Sequence, residues 1–249
     1  MYISIKKFLF KYISKFLNLI NYSINRTDVY LWTDSEVVIS RLFPNNQNII
    51  IFDIGAHVGE SAIKYKKIYK NSKIYSFEPF QDNFNILKKN KIKKFNPYNI
   101  GFSDKNSDQT FYVNKGSATN SLLKRSQSAK KIWGGTDWYD PINKVKCKFY
   151  TLDAFCLKNQ IKNIDFCKID VQGAEFKVLR GARRLLLNKI IKVIQIEVII
   201  GNTYKTQKTL SYYLKLFENY GYKLKMISDF NIVNDNLVQV DIFFTKKNF

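Results

Sequence analysis

The chain has 249 residues, of which 45% are apolar and 16% aromatic, and its formal net charge is +21. These values suit one α/β domain with an extension and exclude a chain that is disordered throughout. The three cysteines fit no zinc or redox spacing, and a single histidine, His57, excludes a zinc site built on imidazoles, so any metal would be a hard cation on Asp and Glu oxygens.

The positive charge has two explanations. It would favour nucleic-acid binding, because basic proteins gain affinity by releasing counterions from phosphates. It also follows from a composition crowded with Lys, Asn, Ile, Tyr and Phe, which spreads lysine over every solvated face. No arginine-rich block or known recognition motif is present, so nucleic acid is the less favoured partner.

The first 26 residues have the pattern of a basic amphipathic helix, with Lys7, Lys11 and Lys15 on one face. Lysines interrupt the segment before ~20 apolar residues accumulate, which argues against a transmembrane span, and no signal-peptide cleavage site follows. We predict an N-terminal helical extension over residues 1–47. It would pack on its own domain or on a second copy of the chain, or lie on the inner face of the membrane of a cytoplasmic protein.

From residue 48 onward, short apolar runs alternate with helical patterns, which predicts a mostly parallel, doubly wound α/β sheet. The predicted strands cover residues 49–53, 73–77, 98–102, 164–169 and 191–198. The predicted helices cover residues 60–69, 82–91, 175–187 and 208–220.

The C-terminus departs from this alternation. Residues 222–227 and 237–245 read as two strands separated by a polar segment too short for a helix, which predicts an antiparallel hairpin at the sheet edge. The predicted domain therefore spans residues 48–249, with an insertion at about 105–155. Loops of that length in compact domains are usually functional.

The most specific motif is the segment 53–61, Asp-Ile-Gly-Ala-His-Val-Gly-Glu-Ser, between the first strand and the first helix. Its glycines allow a tight turn close to a ligand, and its leading carboxylate stands where α/β sheets bind ligands. The spacing differs from the G-x-G-x-x-G of dinucleotide-binding loops, and the acidic residue suits a cationic ligand. The predicted cofactor-binding residues of this segment are Asp53, Gly55, Ala56, His57, Gly59 and Ser61.

Two further strand ends carry acids. Glu78-Pro79 follows the second strand, where a carboxylate would accept both hydroxyls of a ribose or cap the next helix. Ser103 and Asp104 follow the third strand, where they would receive an adenine amino group or form a plain turn.

With these motifs the sequence resembles the FkbM family of S-adenosylmethionine (SAM)-dependent methyltransferases over most of residues 49–224. The resemblance is carried by the segments 53–59, 77–79, 101–104, 151–155, 164–175 and 178–182. It implies a seven-stranded, Rossmann-like class I methyltransferase fold and a SAM pocket over Asp53, Gly55, Glu78 and Asp104. It also implies O-methylation of sugars or other natural-product hydroxyls, as in polysaccharide biosynthesis.

Two residues depart from the family pattern. His57 stands where members usually carry Asn, and Gln172 where Glu is common. The Gln removes one negative ligand from any divalent-metal site and leaves metal dependence open.

Four residues are candidates for catalysis. Asp170, just past the fourth strand, is the first candidate for the general base and for contact with the cofactor. His57 is the second candidate, or packs beside the cofactor. Glu175 is a catalytic acid or a structural acid at a helix start, and Glu197 orients acceptor or base or is a buried structural acid.

The insertion offers three aromatic residues, Trp133, Trp138 and Tyr139, which would stack on a sugar ring or anchor the loop to the core. We therefore predict a SAM-dependent O-methyltransferase for a saccharide, glycolipid or related acceptor. The alternatives are an RNA methyltransferase and a non-catalytic nucleotide-fold protein of a glycan-assembly complex.

Overall fold

The computed structural model describes residues 35–43 and 48–247, so the predicted helix over residues 1–26 lies outside the described residues. The strands in this part of the chain are β1 (Ile50–Ile54), β2 (Lys73–Phe77), β3 (Phe95–Tyr98), β4 (Gly101–Phe102), β5 (Ser107–Asn114), β6 (Pro141–Tyr150), β7 (Ile164–Ile169), β8 (Ile191–Ile199), β9 (Tyr222–Val233) and β10 (Asn236–Lys246). The helices are α1 (Ser35–Leu42), α2 (Glu60–Ile68), α3 (Gln81–Leu87), α4 (Ala129–Ile132), α5 (Leu152–Lys158), α6 (Glu175–Arg180), α7 (Arg183–Leu187) and α8 (Leu210–Asn219).

Seven strands form the main sheet in the order β3-β2-β1-β7-β8-β10-β9. The first five pair in parallel, and β10 pairs antiparallel with both β8 and β9. The predicted mostly parallel, doubly wound sheet with a C-terminal antiparallel hairpin is confirmed. Because the order reverses between β1 and β7, a ligand crevice is expected at their carboxyl ends.

The apolar runs of the central strands bury both faces of the sheet. Ile51 packs on one face with Val38 of α1 and Tyr65 of α2, whereas its neighbour Phe52 packs on the other face with Phe155 of α5. Alternate residues of a strand point to opposite faces, so a continuous apolar run requires a helical layer on each side. This double packing fixes the strand ends that carry the site.

The insertion builds a second, three-stranded sheet in the order β4-β6-β5. β6 runs antiparallel to β5 and parallel to the short β4. A 3₁₀ turn, Ser117–Thr119, and α4 connect the long strands. This second sheet stands over the carboxyl ends of the main sheet.

Two predicted elements end early or shift. The helix predicted over residues 82–91 ends at Leu87, because Asn90 turns back and its Nδ2 donates to the Val58 carbonyl at 2.8 Å. The strand predicted over residues 98–102 lies instead at Phe95–Tyr98. The side chain of Asn99 turns the chain by donating to the Glu78 carbonyl at 3.0 Å, and the next residues join the second sheet.

Two other predictions missed a local detail. The helix predicted over residues 175–187 is two helices, because Asp153 accepts from the backbone N–H groups of Arg184 and Leu185, at 2.8 and 3.0 Å, and starts α7 separately. The predicted polar gap in the hairpin is only a two-residue turn. Asn234 and Asp235 adopt φ of 47° and 60° there, as tight hairpin turns require, so both strands are longer than predicted.

Candidate functional site

The loop after β1 is pressed against the end of β7. The backbone N–H groups of Gly55 and Ala56 both donate to the Phe77 carbonyl at 3.0 Å, which ties the loop to β2. Gly55 has φ of 82°, and a Cβ atom there would lie 1.7 Å from the Asp170 carbonyl oxygen. Only glycine satisfies both demands, which explains its place in the motif.

Glu78 is the carboxylate at the end of β2. It is buried, and its two oxygens accept from the backbone N–H groups of His57 at 3.0 Å and Phe80 at 2.9 Å. Burial raises the pKa of Glu78 to about 7, although these hydrogen bonds oppose the shift. The side chain is therefore fixed in direction, with lone pairs left to accept from a ligand.

These strand ends border a cavity of about 140 Å³, which we call the first cavity. Its lining combines polar side chains, among them Glu78, Lys168 and Asp170, with apolar ones, which are Phe102, Phe111, Leu122 and Phe149. The predicted cofactor-binding residues that line it are Gly55, Ala56, His57, Ser61, Glu78, Pro79 and Asp170. A molecule that carries both an aromatic ring and polar groups suits this mixed lining.

Four predicted cofactor-binding residues are absent from the lining. Asp53 lies fully buried beneath the loop, and Gly59 starts α2. Ser103 donates to Asp104 at 3.1 Å, and Asp104 faces Lys177 at 3.8 Å. Direct contact of these four residues with a cofactor stays a prediction.

An acid pair stands where the first cavity meets the end of β7. Asp170 accepts from Lys168 Nζ at 2.9 Å and from Gln172 Nε2 at 3.0 Å. Gln172 Nε2 also donates to Glu197 Oε2 at 2.7 Å, and Gln239 donates to Glu197 Oε1 at 2.7 Å. Gln172 thus joins the two carboxyl groups.

The two carboxyl groups differ in protonation. Burial alone would raise the pKa of Asp170, but the Lys168 ammonium group and hydrogen bonds from Lys168, Gln172 and Glu197 lower it. Burial and the carboxylates of Asp170 and Asp241 raise the pKa of Glu197 well above its ordinary value. The opposite directions of these two pKa shifts favour the negative charge on Asp170 and the proton on Glu197.

Glu175 has a structural task. It is buried at the start of α6, and its Oε1 accepts from the backbone N–H groups of Val171 at 3.1 Å and Gly173 at 3.0 Å. Burial raises the pKa of Glu175 to about 8. These contacts shape the loop after β7, and Glu175 is absent from the lining of the first cavity.

His57 connects the loop to the insertion. Its Nε2 lies 2.8 Å from Ser117 Oγ, and its Nδ1 lies 3.5 Å from Glu60 Oε2. It adopts φ of 49°, a conformation that Asn tolerates best among residues with a side chain, in keeping with the Asn of the family pattern. His57 therefore helps to hold the insertion over the first cavity.

Sequence reasoning missed the residues that connect these parts. Gln172 appeared only as a departure from a pattern, yet it donates to both carboxyl groups and accepts from the Tyr204 hydroxyl at 3.1 Å. Ser117, Asn120 and Leu122 of the insertion line the first cavity. The length of the insertion was the one signal that could have found them.

The three aromatic residues of the insertion line a second cavity of about 420 Å³. Trp133 stacks on Tyr139 with ring centroids 5.0 Å apart, and its Nε1 donates to Thr203 at 2.8 Å. Trp138 is 64% exposed. The second cavity shares Ala118 and Gln172 with the first.

Several buried acids give stability a predicted pH dependence. Burial raises the pKa of Asp53 to about 6, of Asp241 to about 7 and of Glu175 to about 8. Between pH about 4 and 8 the folded state thus binds more protons than the unfolded state, so the free energy of unfolding falls as pH rises, by about 1.4 kcal/mol per unit for each titrating group. Urea unfolding at several pH values tests this.

The matched variant for this measurement is Glu175→Gln, which is expected to flatten the slope because it removes one titrating group and keeps an acceptor oxygen. Stability that rises with pH over this range would contradict the account.

In residues 35–43 and 48–247, no three side chains among His, Cys, Asp and Glu are grouped so that they could hold a metal ion. Within the same ranges, each helix is too short or too polar to span a bilayer. The three cysteines are buried and unpaired.

Comparisons with known proteins bear on the whole site. A family model described as the methyltransferase FkbM domain matches residues 53–224. The 2-O-methyltransferase NoeI of Sinorhizobium fredii is 22% identical over 142 residues, which are 55% of this chain and 58% of NoeI. The crystal structure of methyltransferase FkbM from Methylobacillus flagellatus KT matches 82% of this chain and 45% of that chain, with 16% identity and a TM-score of 0.51. The chain thus spans about half the length of these relatives, and the resemblance predicted from the motifs is confirmed.

Proposed function

Because the chain belongs to the methyltransferase FkbM domain family, we propose that it is a SAM-dependent O-methyltransferase acting on a hydroxyl of a saccharide, glycolipid or related natural product. The observation that carries this proposal is the position of Asp170, which lines the first cavity and accepts a hydrogen bond from Gln172, a residue that lines both cavities. One cavity would hold the cofactor, and the carboxylate faces the place where the acceptor would meet it.

The residues that line the first cavity suit the chemical groups of SAM. Glu78 is held by two backbone N–H groups and retains lone pairs for the two hydroxyls of a ribose. The aromatic lining residues Phe102 and Phe149 suit an adenine ring. The buried acids around the loop suit the cationic end. When bound, SAM would supply a methyl group on a sulfonium, a strong electrophile.

Asp170 is the group best placed to assist a hydroxyl. An ionised carboxylate would accept the hydrogen bond of an alcohol, turn the oxygen lone pair toward the methyl group and take the proton as the C–O bond forms, while the bond between methyl carbon and sulfur breaks and leaves a neutral thioether. Lys168 and Gln172 hold Asp170 in place. Glu197 keeps its own proton and serves as a neighbour that stabilises the charge of Asp170 rather than as the base.

The name of NoeI, a 2-O-methyltransferase, supports oxygen as the acceptor atom. Because most of the catalysis comes from alignment of the reactants and exclusion of water, the insertion over the first cavity contributes to catalysis by covering the site. His57 and Ser117 fasten it there.

The test is methyl transfer from isotopically labelled SAM to two acceptor pools, saccharides with glycolipids and total RNA, both from the source cells. We expect label in the first pool, as a methyl ether. Treatment with alkali should leave this label in place, whereas it would release label from a methyl ester. Label confined to RNA would favour the RNA methyltransferase. Binding of S-adenosylhomocysteine (SAH) without transfer to either pool would favour the non-catalytic protein.

A further inference from the structure

The second cavity adjoins the first at Gln172, whose side chain also contacts Asp170. It lies between the insertion and the hairpin of β9 and β10, so its walls come from segments about 100 residues apart. An acceptor that reaches Asp170 while the first cavity is filled must approach from a neighbouring space, and the second cavity is such a space.

The lining of the second cavity is uncharged. The side chains are indoles, a phenol, amides, hydroxyls and a methyl group, although the chain carries a net charge of +21. A site for a phosphate-bearing ligand such as RNA would require Lys or Arg at its surface. Aromatic faces beside amides and hydroxyls instead match the C–H face and the hydroxyl rim of a neutral sugar.

Trp138 is the exposed platform of this cavity. Its carbonyl oxygen accepts from the Gly116 N–H at 2.9 Å and from Thr119 Oγ1 at 3.0 Å, so its backbone is fixed while its indole stays 64% exposed. Trp133 and Tyr139 stack on each other and form the wall. Because the backbone of Trp138 is already held, a ring that stacks on its indole has only the side-chain rotation left to immobilise.

The hairpin supplies the polar groups. Asn231 and Gln239 face each other across β9 and β10, and both line the second cavity. Gln239 Nε2 donates to Glu197, which leaves its carbonyl oxygen to accept from a hydroxyl. The same amide thus connects the second cavity to the acid pair.

We propose that the second cavity binds a neutral sugar ring of the acceptor, with Trp138 against its face and Asn231 and Gln239 on its hydroxyls. This inference rests on the proposed function, and it places the reactive hydroxyl beside Gln172 and Asp170. The sugar ring would lie between the insertion and the hairpin.

The test uses full-length protein saturated with SAH and a panel of methyl glycosides of neutral hexoses, deoxyhexoses and N-acetylhexosamines. Binding is followed by saturation-transfer NMR, with a hexuronic acid and a transfer RNA as charged probes. We expect at least one neutral glycoside to bind. Trp138→Ala is expected to weaken it by about tenfold, and Trp138→Phe, which keeps a ring, by about threefold or less. Asn231→Ala should also weaken it.

The matched control is Phe230→Ala, which removes an exposed aromatic ring next to Asn231 from outside the cavity lining, and we expect unchanged binding. SAH affinity should be unchanged in every variant. The proposal is overturned if the wild type binds SAH but no neutral glycoside, or if Trp138→Ala and Asn231→Ala both bind sugar like the wild type. A folded wild type that does not bind SAH would instead overturn the proposed function.

Discussion

Replacing Asp170 by asparagine is expected to slow methyl transfer by about 10²–10⁴-fold. The amide keeps the shape of the side chain and can still accept a hydrogen bond, but it cannot take the proton of the acceptor. Lys168 Nζ, 2.9 Å from the present carboxylate, would also lose its ionic partner. Because the shape of the side chain is kept, the effect should fall on the chemical step, and the first cavity should still bind its cofactor.

The measurement is single-turnover transfer from labelled SAM to the acceptor fraction that the wild type methylates, together with SAH affinity. The matched control is Glu175→Gln, because Glu175 is a nearby buried acid whose carbonyl oxygen would survive the change. We expect its rate to stay within about threefold of the wild type. If Asp170→Asn transfers methyl groups as fast as the wild type, Asp170 is not the base.

Gly55→Ala is expected to cost about 3–5 kcal/mol of folding stability and to abolish SAH binding. The added Cβ would lie 1.7 Å from the carbonyl oxygen of Asp170, a backbone atom, and φ of 82° is itself unfavourable for alanine. To admit the methyl group, the ends of β1 and β7 must separate. That movement would displace both the loop and the proposed base.

The variant Gly135→Ala separates the two causes of this stability loss, the steric clash of the added Cβ and the positive φ. Gly135 has φ of 88°, but nothing lies within 4 Å of the position of its Cβ. Gly135→Ala should therefore lower folding stability by only the conformational cost of alanine at positive φ, about 1–2 kcal/mol. Urea unfolding of both variants checks this, and equal losses would mean that the contact between Gly55 and Asp170 does not constrain the site.

The parts of the fold that could be predicted from sequence are those governed by local pattern. Continuous apolar runs such as residues 49–52 predict central parallel strands, and the polar segment near Asn234 predicts the hairpin. The Asp53 loop and Glu78 could be placed because each directly follows such a strand. For these features, residue type and position within one segment were sufficient for the prediction.

The remaining features depend on residues distant in sequence. α6 and α7 separate because Asp153, 31 residues before Arg184, caps the second helix. Burial, together with the carboxylates of Asp170 just after β7 and Asp241 in β10, raises the pKa of Glu197. No periodicity within one segment encodes such encounters. For the same reason, the sequence could nominate Asp170 as the base and Glu197 as a residue that orients acceptor or base, but it could not show how the two carboxyl groups differ in pKa.

The measurement that tests the central claim most directly is calorimetric titration of SAH into the wild type, Glu78→Ala, Glu78→Gln and Asp82→Ala. Asp82 is an exposed acid of α3, outside the first cavity. We predict micromolar binding to the wild type and Asp82→Ala, which corresponds to about −8 kcal/mol, and binding weaker by about a hundredfold for Glu78→Ala. Glu78→Gln should lie between them. A folded wild type that does not bind SAH, or a Glu78→Ala variant that binds it equally well, would contradict the account.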